Sequence, residues 1–177
     1  MRNSNSLPII IEGFKRAYDE GMRDYELVVA GWVLNADVFN GLLGKTKEYP
    51  IYFVGSPSGE QLSRLYSSSR FLLNLRGIEQ KMPSTNFSHE ALGVVTIEAI
   101  AHGCLPIVHD YAGHLETVPN PDLRIDCVPS IPTRMKEIVE RFSDPREWEG
   151  AWSPLLEHAE TTFSKDAYLE NFRSLLG

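Results

Sequence analysis

The chain has 177 residues, 42% of them hydrophobic and 23% charged, with a formal net charge of −7. That length builds one domain with a real core. The acidic balance, with no block of basic residues, excludes sequence-wide binding to nucleic acid or to an anionic membrane and leaves room only for a small basic pocket. Cys104 and Cys127 are the only cysteines and form no CxxC, so neither a zinc knuckle nor a disulfide framework is indicated. Cys104 lies in an apolar run and reads as a small buried residue. The pair fits a reducing, cytoplasmic compartment. No apolar run approaches the ~18 residues of a membrane span, and the first residues show no signal-peptide pattern.

Helix and strand patterns alternate along the chain. "LPIIIEGFKRAYDE", Leu7 to Glu20, spaces Ile10, Phe14 and Tyr18 as a helix does, and Gly21 is a natural stop. "YELVVAGW" reads as a buried strand. Residues 36–46 are expected to be helical. "PIYFVGS" is a second strand. "SGEQLSRLYSSS" opens with a capping-box pattern, Ser58 standing three residues before Gln61. "RFLLNL" is a third strand, followed by the polar, irregular "RGIEQKMPSTNFSHE". A helix from about Gly93 to Ala101 and the strand "LPIVH" come next, then a fifth strand in "LRIDCV". From Ile131 the chain reads as two or three helices, with Trp148 and Trp152 packing them onto the core.

Continuously apolar strands separated by helices predict a parallel sheet covered on both faces, hence an α/β, doubly wound, Rossmann-like fold. Ligands in such sheets bind at the carboxyl ends of the strands. Functional residues are therefore expected at Gly31, Gly55 and Ser56, Asn74 to Glu90, His109 to Gly113, and Pro129.

The stretch "HEALGVVTIEAIAHGCLPIVHDYAGHLETV" carries the chemistry. Gly93 opens a helix whose next residues, Val94, Val95, Ile97, Ala99 and Ile100, are apolar almost all round, which predicts burial. The helix start presents free N–H groups and a positive dipole end, and a glycine there lets a ligand approach closely, an arrangement suited to a diphosphate. Glu98 lies about one and a half turns in, where a buried carboxylate is costly unless hydrogen-bonded. Two readings fit it: vicinal ribose hydroxyls, or an ordinary backbone or arginine partner. Glu90 likewise reads either as a contact to another part of the same ligand or as a solvated acid at a helix start.

The same stretch resembles the E-x7-E signature of retaining GT-B glycosyltransferases, especially family 4. The likeness rests on Glu90, Gly93, Glu98, Ala99, Ala101, Gly103, Pro106, Gly113 and Glu116. Leu92 replaces the usual aromatic, Ile100 the usual methionine, and Ala112 the first glycine of a pair. "IIIEGFKRA", "YELVVAG", "IYFVGSPSGEQLSRLYSSSRFLLNL" and "FSKDAYLENFRSLLG" extend the likeness in order, over about residues 7–177.

The resemblance implies a retaining hexosyl transfer from a UDP- or GDP-linked sugar to a glycan, lipid-linked or small-molecule acceptor, with the donor held by the carboxyl-terminal of two Rossmann-like domains. Carried over, Glu90 holds donor-sugar hydroxyls as the catalytic position, the amides of Gly93, Val94 and Val95 face the diphosphate, Glu98 binds the ribose, and Gly55 and Ser56 lie near the base. No metal and no further cofactor are implied. The whole enzyme is expected in the cytoplasm, with peripheral membrane association where the acceptor is lipid-linked.

One departure stands out. The family's domain opens with a strand ending in Gly-Arg, followed by a lysine, and both cations neutralise the departing diphosphate. Counting back from "IEGF", Asn5 falls near the lysine position, and Arg2 is the nearest cation. Arg2 and, in the long loop, Arg76 are the candidate phosphate contacts, and Lys81 in the same loop reads either as a phosphate or acceptor contact or as a solvated residue. Residues 1–177 are thus expected to form a nucleotide-sugar-binding domain without its first strand, the acceptor-binding domain being supplied in cis or by a partner chain. Isolated, the chain is expected to transfer little or no sugar. The alternative is a non-catalytic or degenerate GT-B-like partner domain. A phosphoacceptor signalling domain would need an acidic pair after the first strand, which the sequence lacks. His89, His102, His109 and His114 crowd the motif, but their spacing matches no common metal-ligand set.

Overall fold

The computed structural model of the chain describes residues 6–31, 36–79 and 91–176. Eight α-helices and five short strands are described, in the order α1 (Ser6–Asp19), β1 (Leu27–Ala30), α2 (Ala36–Thr46), β2 (Ile51–Val54), α3 (Gly59–Ser68), β3 (Phe71–Asn74), α4 (Val94–Ala101), β4 (Leu105–His109), α5 (His114–Thr117), β5 (Arg124–Ile125), α6 (Ile131–Arg141), α7 (Pro145–Phe163) and α8 (Lys165–Leu176). The elements follow the sequence pattern closely. The strand "LRIDCV" shortens to two residues, and the four-residue α5 was not anticipated.

Local chemistry explains the helix starts. Ser58 and Gln61 form a reciprocal capping box at α3: the Gln61 N–H donates to Ser58 Oγ at 3.3 Å and the Ser58 N–H to Gln61 Oε1 at 2.8 Å. Asp144 caps α7 by accepting from the Arg146 N–H at 2.7 Å, with Pro145 at the first helical position, where no N–H is required.

All strand pairs are parallel, but the sheet is divided. β1 pairs with β2, and β3, β4 and β5 form a separate sheet in that order. A doubly wound sheet of order 3-2-1-4-5-6 without its strand 1 would break at this point. The two pieces nevertheless lie over one core. Leu27, Val29 and Phe53 from the first piece and Phe71, Leu73, Leu105 and Ile107 from the second belong to the same apolar cluster, together with Ile11 and Phe14 of α1 and Met135 and Ile138 of α6. β4 is buried along its whole length.

Helix α1 packs closely on α6. A Cβ added at Gly13 would stand 2.3 Å from Ile131 Cγ2, so any side chain there would force the crossing to shift. α6 in turn anchors the starts of two strands. Tyr25, just before β1, donates to the Val139 carbonyl at 3.1 Å. Arg70, just before β3, donates through Nε and Nη2 to the Phe142 carbonyl at 3.1 and 2.6 Å. Trp148 and Trp152 stack at 5.2 Å, and the Trp152 indole N–H donates to the Ile100 carbonyl at 2.9 Å, pinning α7 to α4.

Candidate functional site

α4 begins at the carboxyl end of β3. Asn74, the last residue of that strand, donates through Nδ2 to Thr96 Oγ1 in the helix's first turn at 3.2 Å. Thr96 is fully buried. Gly93 caps the helix in the left-handed conformation, φ 71° and ψ 51°, which only glycine adopts routinely. Its carbonyl accepts from the Thr96 and Ile97 N–H groups at 2.8 and 3.2 Å. The Val94 and Val95 N–H groups precede the first residue that has an intrahelical acceptor, and they lie at the positive end of the helix dipole, where an anion is favoured. Both side chains are exposed, at 58% and 42%.

This differs from the expectation of a helix buried all round. The carboxyl-terminal half of α4 is buried through Ala99 and Ile100, whereas its amino-terminal turn opens to solvent at the sheet's carboxyl edge. Glu98 follows the same correction: it is exposed, so no buried carboxylate has to be offset. Its Oε2 accepts a long hydrogen bond from the Tyr66 hydroxyl of α3 at 3.4 Å. Burial, then the Glu98 charge and that hydrogen bond, push the Tyr66 hydroxyl up to about 12. His102 at the end of α4 donates from Nδ1 to the Glu98 carbonyl at 2.7 Å, satisfying one of the helix's last acceptors, and its ring lies 5.6 Å from that of Tyr66. Tyr66 and Thr96 were not singled out by the sequence. The signal available for Tyr66 was its place in "LSRLY", within the stretch that carries the family resemblance.

Of the sequence candidates, Gly93, Val94, Val95 and Glu98 are thus brought together on one helix, with Asn74 and Tyr66 against it. Gly55 and Ser56 follow β2, in the other piece of the sheet, and both are exposed. Arg76 is exposed in the turn after β3. Glu90, Arg2, Asn5, Lys81 and His89 lie outside the described residues. His109 is buried at the end of β4 with its ring 5.9 Å from Tyr111. Among the described residues no group of three or more His, Cys, Asp or Glu side chains is placed to hold a metal ion.

Ala112, where the resemblance places the first glycine of a pair, has φ 54°, inside the left-handed region. The backbone here adopts a conformation that favours glycine, with an alanine in place.

No helix among the described residues is long and apolar enough to cross a membrane. No protein-family model and no curated protein matches the chain. Among solved structures the chain is similar to TarM, a glycosyltransferase, with a TM-score of 0.74 and 14% sequence identity over 99% of this chain. The matched region is 33% of TarM, so the chain spans about a third of that protein's length. At this identity the likeness concerns the fold alone: an α/β, doubly wound, Rossmann-like domain consistent with one half of a GT-B fold.

Proposed function

We propose that this chain is the donor-binding half of a retaining glycosyltransferase, holding a UDP- or GDP-linked sugar for hexosyl transfer to an acceptor bound elsewhere. The observation that carries this reading is the start of α4: a left-handed Gly93 at the carboxyl end of β3, two N–H groups without helix acceptors, and Glu98 one turn on. In this reading the diphosphate lies on the Gly93, Val94 and Val95 amides, where the helix dipole and the backbone donors offset its charge without a metal. Glu98 takes the ribose hydroxyls, and its exposure suits a ligand contact better than a structural one. Gly55 and Ser56 flank the base, Glu90 holds the donor sugar, and Arg2 and Arg76 are the candidate phosphate cations. The GT-B fold supports the assignment, and the E-x7-E resemblance carries its retaining, family-4 detail.

The acceptor half is supplied in cis or by a partner chain, so the 177 residues alone transfer little or no sugar. The chain works in the cytoplasm, where nucleotide sugars are made available to such enzymes. Thermal-shift titration with UDP, GDP and their sugars tests the reading. One nucleotide diphosphate is expected to raise the melting temperature, and Glu98→Ala to weaken that binding about 10-fold, as loss of a charged hydrogen-bond acceptor does. No stabilisation by any of them would favour a non-catalytic partner domain on the same fold.

A further inference from the structure

We propose that Tyr66 is a positioning residue of the donor site: its hydroxyl, fixed within a small apolar cluster, holds the Glu98 carboxylate in the orientation that takes a ribose diol, and so makes the site select ribonucleotides over 2′-deoxyribonucleotides. This rests on the donor-binding reading of α4, and adds to it a residue of α3 and a narrower substrate class.

Glu98 is exposed on α4. A glutamate in that setting samples many rotamers and loses that freedom when it grips a ligand. A contact that already restrains the side chain lowers this cost. The Tyr66 hydroxyl supplies such a contact, donating to Glu98 Oε2 at 3.4 Å. The direction of the bond is set by protonation: with its hydroxyl pushed up to about 12, Tyr66 is neutral at physiological pH and donates, while the carboxylate accepts.

Tyr66 is itself held in place. It lies near the end of α3 and is 7% exposed. Leu62 and Tyr66, four residues apart, share one face of α3. They pack with Ala99, Cys104 and Leu72 as a small cluster on the second face of the sheet, apart from the main core. Ala99, the neighbour of Glu98, and Cys104 are both buried, so packing fixes the ring and the backbone beneath the carboxylate together. A tyrosine aims its hydroxyl with two side-chain torsions, which a packed ring cannot change freely. His102 adds a second tie. Its Nδ1 donates to the Glu98 carbonyl at 2.7 Å, and its ring lies 5.6 Å from that of Tyr66.

A carboxylate offers about four acceptor sites on its two oxygens. Tyr66 takes one of those on Oε2, which leaves Oε1 whole and one further site beside it. That remainder matches the two adjacent donors of a 2′,3′-diol. At 3.4 Å the contact is longer than the ~2.5–2.7 Å of a strong hydroxyl–carboxylate bond, so it orients the group without outcompeting a ligand. A purely structural pair would satisfy the buried hydroxyl and leave the choice of sugar untouched. The two roles therefore differ in one measurable quantity, the discrimination between ribose and deoxyribose.

Calorimetric titration of the chain with UDP and GDP, and with the 2′-deoxy form of whichever binds, tests this. The unaltered chain is expected to bind the ribonucleotide at least about 10-fold tighter than its 2′-deoxy counterpart, as hydrogen bonds to a charged group allow. Tyr66→Phe is expected to lower that ratio about 3-fold by weakening the ribonucleotide alone. In a Glu98→Ala background, with no carboxylate to hold, the same change is expected to alter neither affinity. An unchanged ratio in Tyr66→Phe, an equal loss for both nucleotides, or the same loss with Glu98→Ala in place would overturn the proposal and leave donor binding standing. A ratio near one in the unaltered chain would do the same. A chain that binds neither UDP nor GDP would overturn the donor-binding reading, and this proposal with it.

Discussion

The two pieces of the sheet are built from similar sequence and reach different states. "LVVA" and "IYFV" in β1 and β2 are as apolar as "LPIVH" in β4, yet Val28, Tyr52 and Val54 are exposed while every residue of β4 is buried. The difference lies in neighbours. β4 has a strand on either side and packs against α4 and α7. β1 pairs with β2 on one side and, among the described residues, with no strand on the other. Pro106 shows the same principle within β4: by the alternation of the ladder its nitrogen faces β5, which begins pairing only at Val108, so no hydrogen bond is lost. An apolar run thus specifies a strand but not its burial, which depends on what the topology sets beside it.

Substitutions can break this contrast. The largest effect is expected from Ile107→Ala in β4, about 2–5 kcal/mol of lost stability from a buried methyl and methylene set. Val28→Ala in β1 should stay within about 0.5 kcal/mol, as exposed positions do. Equal losses in urea unfolding would mean that β1 is as well packed as β4. Gly13→Ala should cost about 1–3 kcal/mol, because the added methyl meets Ile131, despite alanine's better helix propensity. Ala112→Gly should gain about 0.5–1 kcal/mol by relieving the left-handed alanine, net of glycine's greater chain entropy.

A pH dependence sharpens the same comparison on the second face. Burial pushes the Cys104 thiol from its ordinary value of 9.0 up to about 12, and burial with the Glu98 charge raises Tyr66 from 10.0 to about 12. Both groups are held neutral in the fold and ionise more readily when unfolded. Their stabilisation is therefore fully present below pH 9 and lost as pH rises from 9 toward 12. Cys104→Ala should flatten the part of the alkaline melting curve that begins at pH 9. Tyr66→Phe, which removes one long hydrogen bond at 3.4 Å, should shift stability by less than about 1 kcal/mol.

Much of this fold was legible because it is written locally. The Ser58–Gln61 capping box, the helix over 36–46 and the glycine that opens α4 each depend on residues within a few positions of one another. What escaped the sequence depends on contacts far along the chain. Gly13 is fixed by Ile131, Tyr25 by Val139, and Glu98 meets Tyr66 across 32 positions. The exposure of Val94, Val95 and Glu98 escaped for a related reason. Apolar residues all round a helix imply burial only where something covers every face, and the first turn of α4 projects at the open edge of the sheet. That edge is where doubly wound folds bind their ligands, so the misfit between pattern and burial falls where the proposed donor site lies.

The donor-binding reading is tested most directly by following backbone amide shifts while UDP and GDP are titrated separately into the chain. The account predicts that one nucleotide moves the Gly93, Val94 and Val95 amides more than any others, saturably, with Glu98→Ala weakening the response. Saturable binding that leaves those three amides unmoved, or no binding of either nucleotide, would contradict it.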